Sequence, residues 1–240
     1  MEGPEKKHDV LRGILEAQKK ISLLFPECVL VGGTAAAMHR GHRFSLDADS
    51  VLPNLKDQFQ DILEKLEALA GWKTSRIRPP VLILGNFAGI DIGIRQLRRA
   101  EPLETIEKFG ILIPSEAEMC RIKAWLVITR NATRDFLDFI ALCDGFDNDG
   151  TAQAMASFDS CYPQPEGAET SRSQLIRMLA MPMPYDLAET DVEKYKGIVP
   201  PWNSWEYIHK RSLFISDLLF DSTVIEGHGQ KENGGEGASS

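Results

Sequence analysis

Apolar residues along the chain fall into stretches of two different periods. Residues 8–25 carry Val10, Leu11, Ile14, Leu15, Ile21 and Leu24 at helical spacing, and Pro26 ends the run. Cys28 to Val31 is a continuous apolar stretch of strand length that closes on Gly32-Gly33-Thr34. Leu55, Phe59, Ile62, Leu63, Leu66 and Leu69 give a second helical face, expected to start at Pro53-Asn54 with Asn54 as N-cap and to end at Gly71. Trp72–Arg78, Val81–Leu84 and Phe87–Arg95 then read as strands, with Gly85-Asn86 as the hairpin turn. In the third of these, Ile90, Ile92 and Ile94 take one face, and Asp91, Gly93 and Arg95 take the other. Leu103 to Ile113 supplies one or two further strands.

From there the pattern turns helical. Ser115 and Glu118 form a capping box ahead of a helix that points Met119, Ile122, Leu126 and Val127 inward. Another helix starts at Arg134-Asp135, and short helices are expected over 151–160 and 170–181. A final amphipathic helix over 185–221 draws its bulk from Trp202, Trp205, Ile208, Leu213, Ile215 and Leu218. The expectation is an α+β protein: a mixed sheet with flanking helices over 1–112, a mainly helical part over 113–225, and a glycine-rich disordered tail over 226–240.

The 240 residues are 43% hydrophobic, enough for a packed core. No apolar run approaches the roughly 20 residues of a membrane span, and MEGPEKKHDV lacks the apolar centre of a signal peptide. Cys28, Cys120, Cys143 and Cys161 show no CxxC spacing and read as reduced thiols of a cytoplasmic protein. The DGFDNDG segment lacks the closing glutamate of a calcium loop, so it reads as a polar connector. A net charge of −8 argues against broad, non-specific nucleic-acid binding while leaving room for a local basic patch.

The chemistry concentrates in CVLVGGTAAAMHRGHRFSLDAD, residues 28–49. A buried strand meets a glycine turn, a small-residue helix and a basic cluster, and Ser45, Asp47 and Asp49 follow at every second position. If extended, those three share one face. Two carboxylates about 7 Å apart along a strand repel each other unless a cation lies between them. Asp91, flanked by isoleucines, is costly in the same way unless paired or bound to a cation.

This string resembles the active-site signature of the DNA polymerase beta-like nucleotidyltransferases and, more narrowly, the AbiEii-type nucleotidyltransferase toxins. Their pattern runs from a Gly-Gly-Thr-Ala helix through a Gly-His-Arg turn to Ser-x-Asp-x-Asp. PSEAEMCRIKAWLVITRNATRDFLD is similar to the later part of the same family, with its Pro-Ser element, lysine-bearing helix and Arg-Asp-x-x-Asp helix. One departure is that Ala48 and Ser50 stand where family members carry bulky apolar residues.

The resemblance implies a nucleotidyltransferase that moves a nucleoside monophosphate from a nucleoside triphosphate to an acceptor hydroxyl. Asp47, Asp49 and Asp91 would hold Mg²⁺ or Mn²⁺, and Lys123 would neutralise triphosphate charge. Gly32, Gly33, Thr34, Arg43 and Ser45 would bind the nucleotide, together with Asp135 or Asp138. An RNA acceptor and an antitoxin partner are the further implications. Arg95, Arg98 and Arg99 are candidates to seat an RNA phosphate, or else a solvated edge. Two other readings share the fold: a degenerate nucleotide-binding or protein-interaction module, and a small-molecule nucleotidyltransferase.

Overall fold

A computed structural model describes the backbone of residues 4–232 and the side chains of 10–222. The chain forms two compact units: 1–119 with 194–199, and 120–193 with the residues from 200 onward. The expected break after residue 112 would cut through the strand Ile111–Pro114.

In the first unit, α1 (Pro4–Leu24) leads to β1 (Val29–Leu30), α2 (Gly32–Arg40) and β2 (Asp47–Leu52). Then come α3 (Phe59–Glu67), β3 (Trp72–Arg78), β4 (Leu82–Phe87), β5 (Ile90–Gln96), β6 (Thr105–Lys108) and β7 (Ile111–Pro114). The strands make one seven-stranded sheet in the order β3-β4-β5-β2-β1-β7-β6. It is mixed: β2 runs parallel to β5 and β1 parallel to β7, and the other pairs are antiparallel.

One face of this sheet is the core. Ile14, Ala17 and Ile21 of α1 and Ile62, Leu63 and Leu66 of α3 pack with Ala48, Leu52, Ile83, Ile92 and Ile94. Strand alternation then turns Asp47, Asp49 and Asp91 to the opposite face.

Three local expectations are corrected. The helix expected from Asn54 begins at Phe59, because residues 53–58 fold as turns in which Gln58 N–H bonds the Asn54 carbonyl at 3.1 Å. Leu55 is buried there all the same. The hairpin turn falls at Ala88-Gly89, both left-handed with φ of 52° and 87°, rather than at Gly85-Asn86. Gly85 belongs to the ladder because a side chain there would collide with the Trp72 ring. Glu118 completes only half of the capping box. Its N–H bonds Ser115 Oγ at 3.2 Å, while its carboxylate meets Arg99 at 2.8 Å.

The small residues of β2 also find their reason here. Ser50 is fully buried and donates to Gln18 Oε1 at 3.0 Å, and Gln18 Nε2 donates to Cys28 Sγ at 3.7 Å. A polar link thus ties α1, β2 and the start of β1 together where a bulky apolar residue would only pack.

The second unit is helical: most of α4 (Glu116–Arg130), then α5 (Thr133–Cys143), α6 (Asn148–Met155), α7 (Phe158–Cys161), α8 (Ser171–Ala180) and α9 (Trp205–Glu232). Asp147 of the expected connector is the N-cap of α6, accepting from Gly150 N–H. Residues 185–204 are turns and short 3₁₀ segments rather than helix. Asp144 secures the start of α9, accepting from Trp202 Nε1, Tyr207 Oη and Arg211 Nε at 2.8–2.9 Å. Helix α9 continues through 226–232, the first part of the expected tail. The rest of that tail lies outside the described residues. The four cysteines are free, with Cys28, Cys120 and Cys143 buried, and burial pushes the Cys28 thiol up to about 11.

Candidate active site

The first half of the site is a consequence of register. Strand β1 pairs antiparallel with β2 and ends where Val31 N–H bonds the Asp49 carbonyl at 2.7 Å. The chain therefore enters α2 beside Asp49. Gly32 makes the turn with φ +73°, and a Cβ there would lie 3.2 Å from Asp49 Cβ. Only glycine combines that backbone with so close an approach. Val31, the N-cap residue, has no side-chain acceptor, so the first N–H groups of α2 are uncapped by a side chain. Such an end favours anions through its dipole and its N–H groups.

On β2 and β5, Asp47 stands directly opposite Asp91, and Asp49 opposite Gly93. The three carboxylates share a face on adjacent strands. Gly93 leaves the space that Asp49 fills, since a Cβ there would be 2.6 Å from Asp49 Oδ1. Asp49 Oδ1 also meets Arg95 Nη2 at 3.4 Å, in a pair whose side chains are 49% and 38% exposed. Asp91 accepts from Asn86 Nδ2 at 2.8 Å, and Asn86 Oδ1 accepts from Gly89 N–H, so the true hairpin turn positions this carboxylate.

Arg43 is buried against the other side of the glycine turn. A Cβ on Gly33 would fall 2.5 Å from Arg43 Nη2 and 3.1 Å from Ser45 Oγ, so Gly33, Arg43 and Ser45 are packed as one group. Thr34 is placed differently from its expected role. Its hydroxyl donates to the Asp47 carbonyl at 2.6 Å, which ties α2 to β2. Of the basic residues in and just after β5, Arg95 shares the aspartate face, whereas Arg99 turns to Glu118 and to the Glu101 and Pro102 carbonyls.

In the second unit, Lys123 on α4 is 2% exposed and meets Asp138 Oδ2 at 2.7 Å and Asp135 Oδ1 at 3.8 Å, both from α5. Asp135 is claimed more strongly by Arg130, which grips both its oxygens, one through Nε at 2.6 Å. The three-residue spacing of the aspartates on one helix face makes this double contact. Arg130 and Asn86 carried no role in the sequence reading. Arg130 was legible as a basic residue five positions before Asp135, and Asn86 was hidden by the competing Gly-Asn turn signal.

Among the described residues, no three His, Cys, Asp or Glu side chains are gathered closely enough to cage a metal ion. The donor set nevertheless fits a hard divalent cation of the Mg²⁺ type. Such ions take one or two carboxylates plus water and substrate phosphates rather than an all-protein cage. Asp47 and Asp91, opposite each other on adjacent strands, supply that number.

The chain is similar to the H. pylori protein JHP933, whose crystal structure superposes with a TM-score of 0.52 at 14% identity, covering 97% of this chain and 98% of that one. A second crystal structure, of a candidate nucleotidyltransferase from H. pylori, gives 0.51 at 14% identity, covering 94% and 99%. Both establish the likeness of fold. Part of the chain is also similar to the heme uptake protein MmpL11 of Mycobacterium tuberculosis, 30% identical over 130 residues, and to the mycolic acid-containing lipids exporter MmpL11 of Mycolicibacterium smegmatis, 35% identical over 113 residues. These matches span 52% and 45% of this chain but only 13% and 11% of those proteins. The family model for the nucleotidyl transferase AbiEii toxin of type IV toxin–antitoxin systems matches residues 13–209. By that match over most of its length, the chain belongs to the AbiEii nucleotidyltransferase family, and its mixed-sheet fold is shared with both H. pylori structures.

Proposed function

We propose that this protein is a nucleotidyltransferase that uses a divalent metal to move a nucleoside monophosphate from a nucleoside triphosphate to the hydroxyl of an RNA acceptor, and that it works as a toxin restrained by an antitoxin. The observation that carries the chemistry is the rung of Asp47 and Asp91 with Asp49 one step along, beside the uncapped start of α2.

In this reading Asp47 and Asp91 would hold Mg²⁺ or Mn²⁺, with Asp49, one step along β2, as the third carboxylate of the set. The metal, when bound, neutralises phosphate charge and lowers the pKa of the attacking hydroxyl. The chain's own groups do the rest. The N–H groups of Gly32 and Gly33 receive phosphate oxygens at the start of α2. Arg43, packed on Gly33 with Ser45, adds positive charge there and keeps the turn closed. Thr34 acts as the bolt between α2 and β2. Asn86 orients Asp91, and Arg95 holds Asp49 until substrate arrives. Lys123 is assigned to the triphosphate, with Asp138 as its direct partner and Asp135 held by Arg130. The substrates and the free thiols are those of the cytoplasm. No helix among the described residues is long and apolar enough to cross a membrane.

The test is incubation with each α-labelled nucleoside triphosphate, Mg²⁺ or Mn²⁺ and total RNA, following the label. Wild type should label RNA and release pyrophosphate. Asp49→Asn should lose more than the roughly 10–100-fold typical of an outer-shell partner. Label on small molecules alone, or stabilisation by a triphosphate with no transfer at all, would replace this reading with the small-molecule transferase or the binding module.

A further inference from the structure

The sheet face that carries the aspartates continues past β5. Register takes it outward strand by strand. Asp47 on β2 faces Asp91 on β5, Asp91 faces Asn86 on β4, and Asn86 faces Lys73 on β3. The next rung runs Asp49, Gly93, Leu84, Arg76, and the third runs Val51, Arg95, Leu82, Arg78. Residues paired across neighbouring strands share a face. Lys73, Arg76 and Arg78 therefore stand on the face of the carboxylates, at the outer edge of the sheet.

An irregularity makes this so. The register shifts between Thr74 and Arg76, so Ser75 is an extra residue. In an unbroken strand Arg76 and Arg78 would turn to the helix-covered face and Ile77 to the aspartates. The bulge re-aims all three. Every β3 residue after Trp72 is exposed, and among the described residues none of the three cations makes an ion pair or a side-chain hydrogen bond.

Edge protection alone asks for a charge somewhere on the edge strand. It does not ask that three cations share one face, still less the face bearing a reaction centre, in a protein of net charge −8. The row is also too long and too far out for a triphosphate. It lies two strands from Asp91, about 10 Å, and, with the bulge taking up one residue, it spans about 13 Å along β3. Arg76 and Arg78 are about 7 Å apart, close to the spacing of successive phosphates in an extended strand.

We propose that Lys73, Arg76 and Arg78 are the rail on which the phosphodiester backbone of a single-stranded nucleic-acid acceptor lies, directing its end towards the rung of Asp47 and Asp91. This rests on the transferase reading above and adds the surface that would select a polynucleotide over a small acceptor.

The test uses the full chain and a short fluorescein-labelled single-stranded RNA, with anisotropy read across a salt series. The variant Lys73→Gln/Arg76→Gln/Arg78→Gln is compared with Lys20→Gln/Lys56→Gln/Lys65→Gln. The second set removes the same charge from exposed positions on α1, α3 and the turn before α3. Matched circular dichroism and melting temperature certify both folds. The rail variant should bind about tenfold more weakly or worse, a loss of roughly 1.4 kcal/mol. Its log–log salt slope should fall by about 2, since each single-strand phosphate contact contributes about 0.7. Arg76→Lys, which keeps the charge, should retain most of the binding.

Equal binding by the rail and control variants overturns the proposal. So does equal competition by polyglutamate with the same dependence on the three residues, which would make the row a dock for an acidic protein. Transfer is scored separately in wild type and Asp49→Asn. Rail-dependent binding without transfer sinks the transferase reading alone, and Asp49-dependent transfer with rail-independent binding sinks only the rail.

Discussion

At the scale of single residues, the site is shaped as much by what is missing as by what is present. Gly93 has no side chain where Asp49 Oδ1 needs room, and its Cβ would intrude to 2.6 Å. Gly93→Ala should therefore displace the Asp49 carboxylate and cut transfer severely. The melting temperature should change little, because Asp49 is 38% exposed and can swing away. A transfer assay beside a thermal melt checks this, and an alanine enzyme of normal activity would remove Asp49 from the site. The buried Lys123–Asp138 pair invites the opposite experiment. Lys123→Met removes the cation beside the buried Asp138 carboxylate and should cost about 3–5 kcal/mol. Lys123→Met/Asp138→Leu should recover most of that in urea denaturation, since apolar replacement of a buried pair is often neutral. If the repacked variant is stable but inactive, the pair serves the chemistry and not the fold. The shared face of Asp47 and Asp49 was legible in the sequence from their alternate spacing, whereas Lys123 was marked only by the family resemblance. Gly93 and Asn86 were not legible, since their roles depend on which strand lies beside them.

At the scale of elements, α2 has to be fixed at its far end for its N-terminus to be of use. His39 Nε2 donates to the Pro114 carbonyl at 2.9 Å, and Lys108 Nζ donates to the Met38 carbonyl at 2.8 Å. Burial lowers the His39 pKa. The Pro114 carbonyl and Glu116 pull it up, while Lys108 and Arg40 push it further down. The folded protein thus binds this proton less readily than the unfolded chain does. The contribution of His39 is complete above the ordinary value of 6.5 and is lost as pH falls below it. Denaturation midpoints at pH 7.5 and pH 5.5 should show the loss, and His39→Gln, which keeps a donor for Pro114, should show less of it. An unchanged pH dependence in the glutamine variant would mean that other groups set it. Element types were largely readable from apolar period, as α1, β5 and α4 illustrate. Boundaries failed where two local signals competed: Gly85-Asn86 looked like a turn, but Trp72 needed the glycine as a floor, so the turn moved to Ala88-Gly89.

At the scale of the whole molecule, the division into units could not be read along the chain, because the first unit is discontinuous. Its segment 194–199 comes from far downstream, and no composition shift announces it. Phe44 N–H bonds the Lys196 carbonyl at 2.7 Å, and Val199 N–H bonds the His42 carbonyl at 3.0 Å. These bonds clasp the loop that delivers Arg43, Ser45 and Asp47. Gly197 makes the clasp possible. Its φ is +63°, and a Cβ there would run into the Phe44 ring. Gly197→Val should therefore cost about 1–3 kcal/mol in backbone strain, with the clash in addition. The damage should be local to the clasp. Hydrogen exchange should speed up at the Phe44 and Val199 amides while the Ile92 and Ile94 amides of β5 stay protected, since the core face of the sheet is packed by α1 and α3. Transfer should fall with the clasp, because the loop it holds carries Arg43 against Gly33 and leads directly into Asp47. If Gly197→Val melts like wild type and both amides keep their protection, the returning segment is only resting on the loop, and β2 owes its position to the sheet alone.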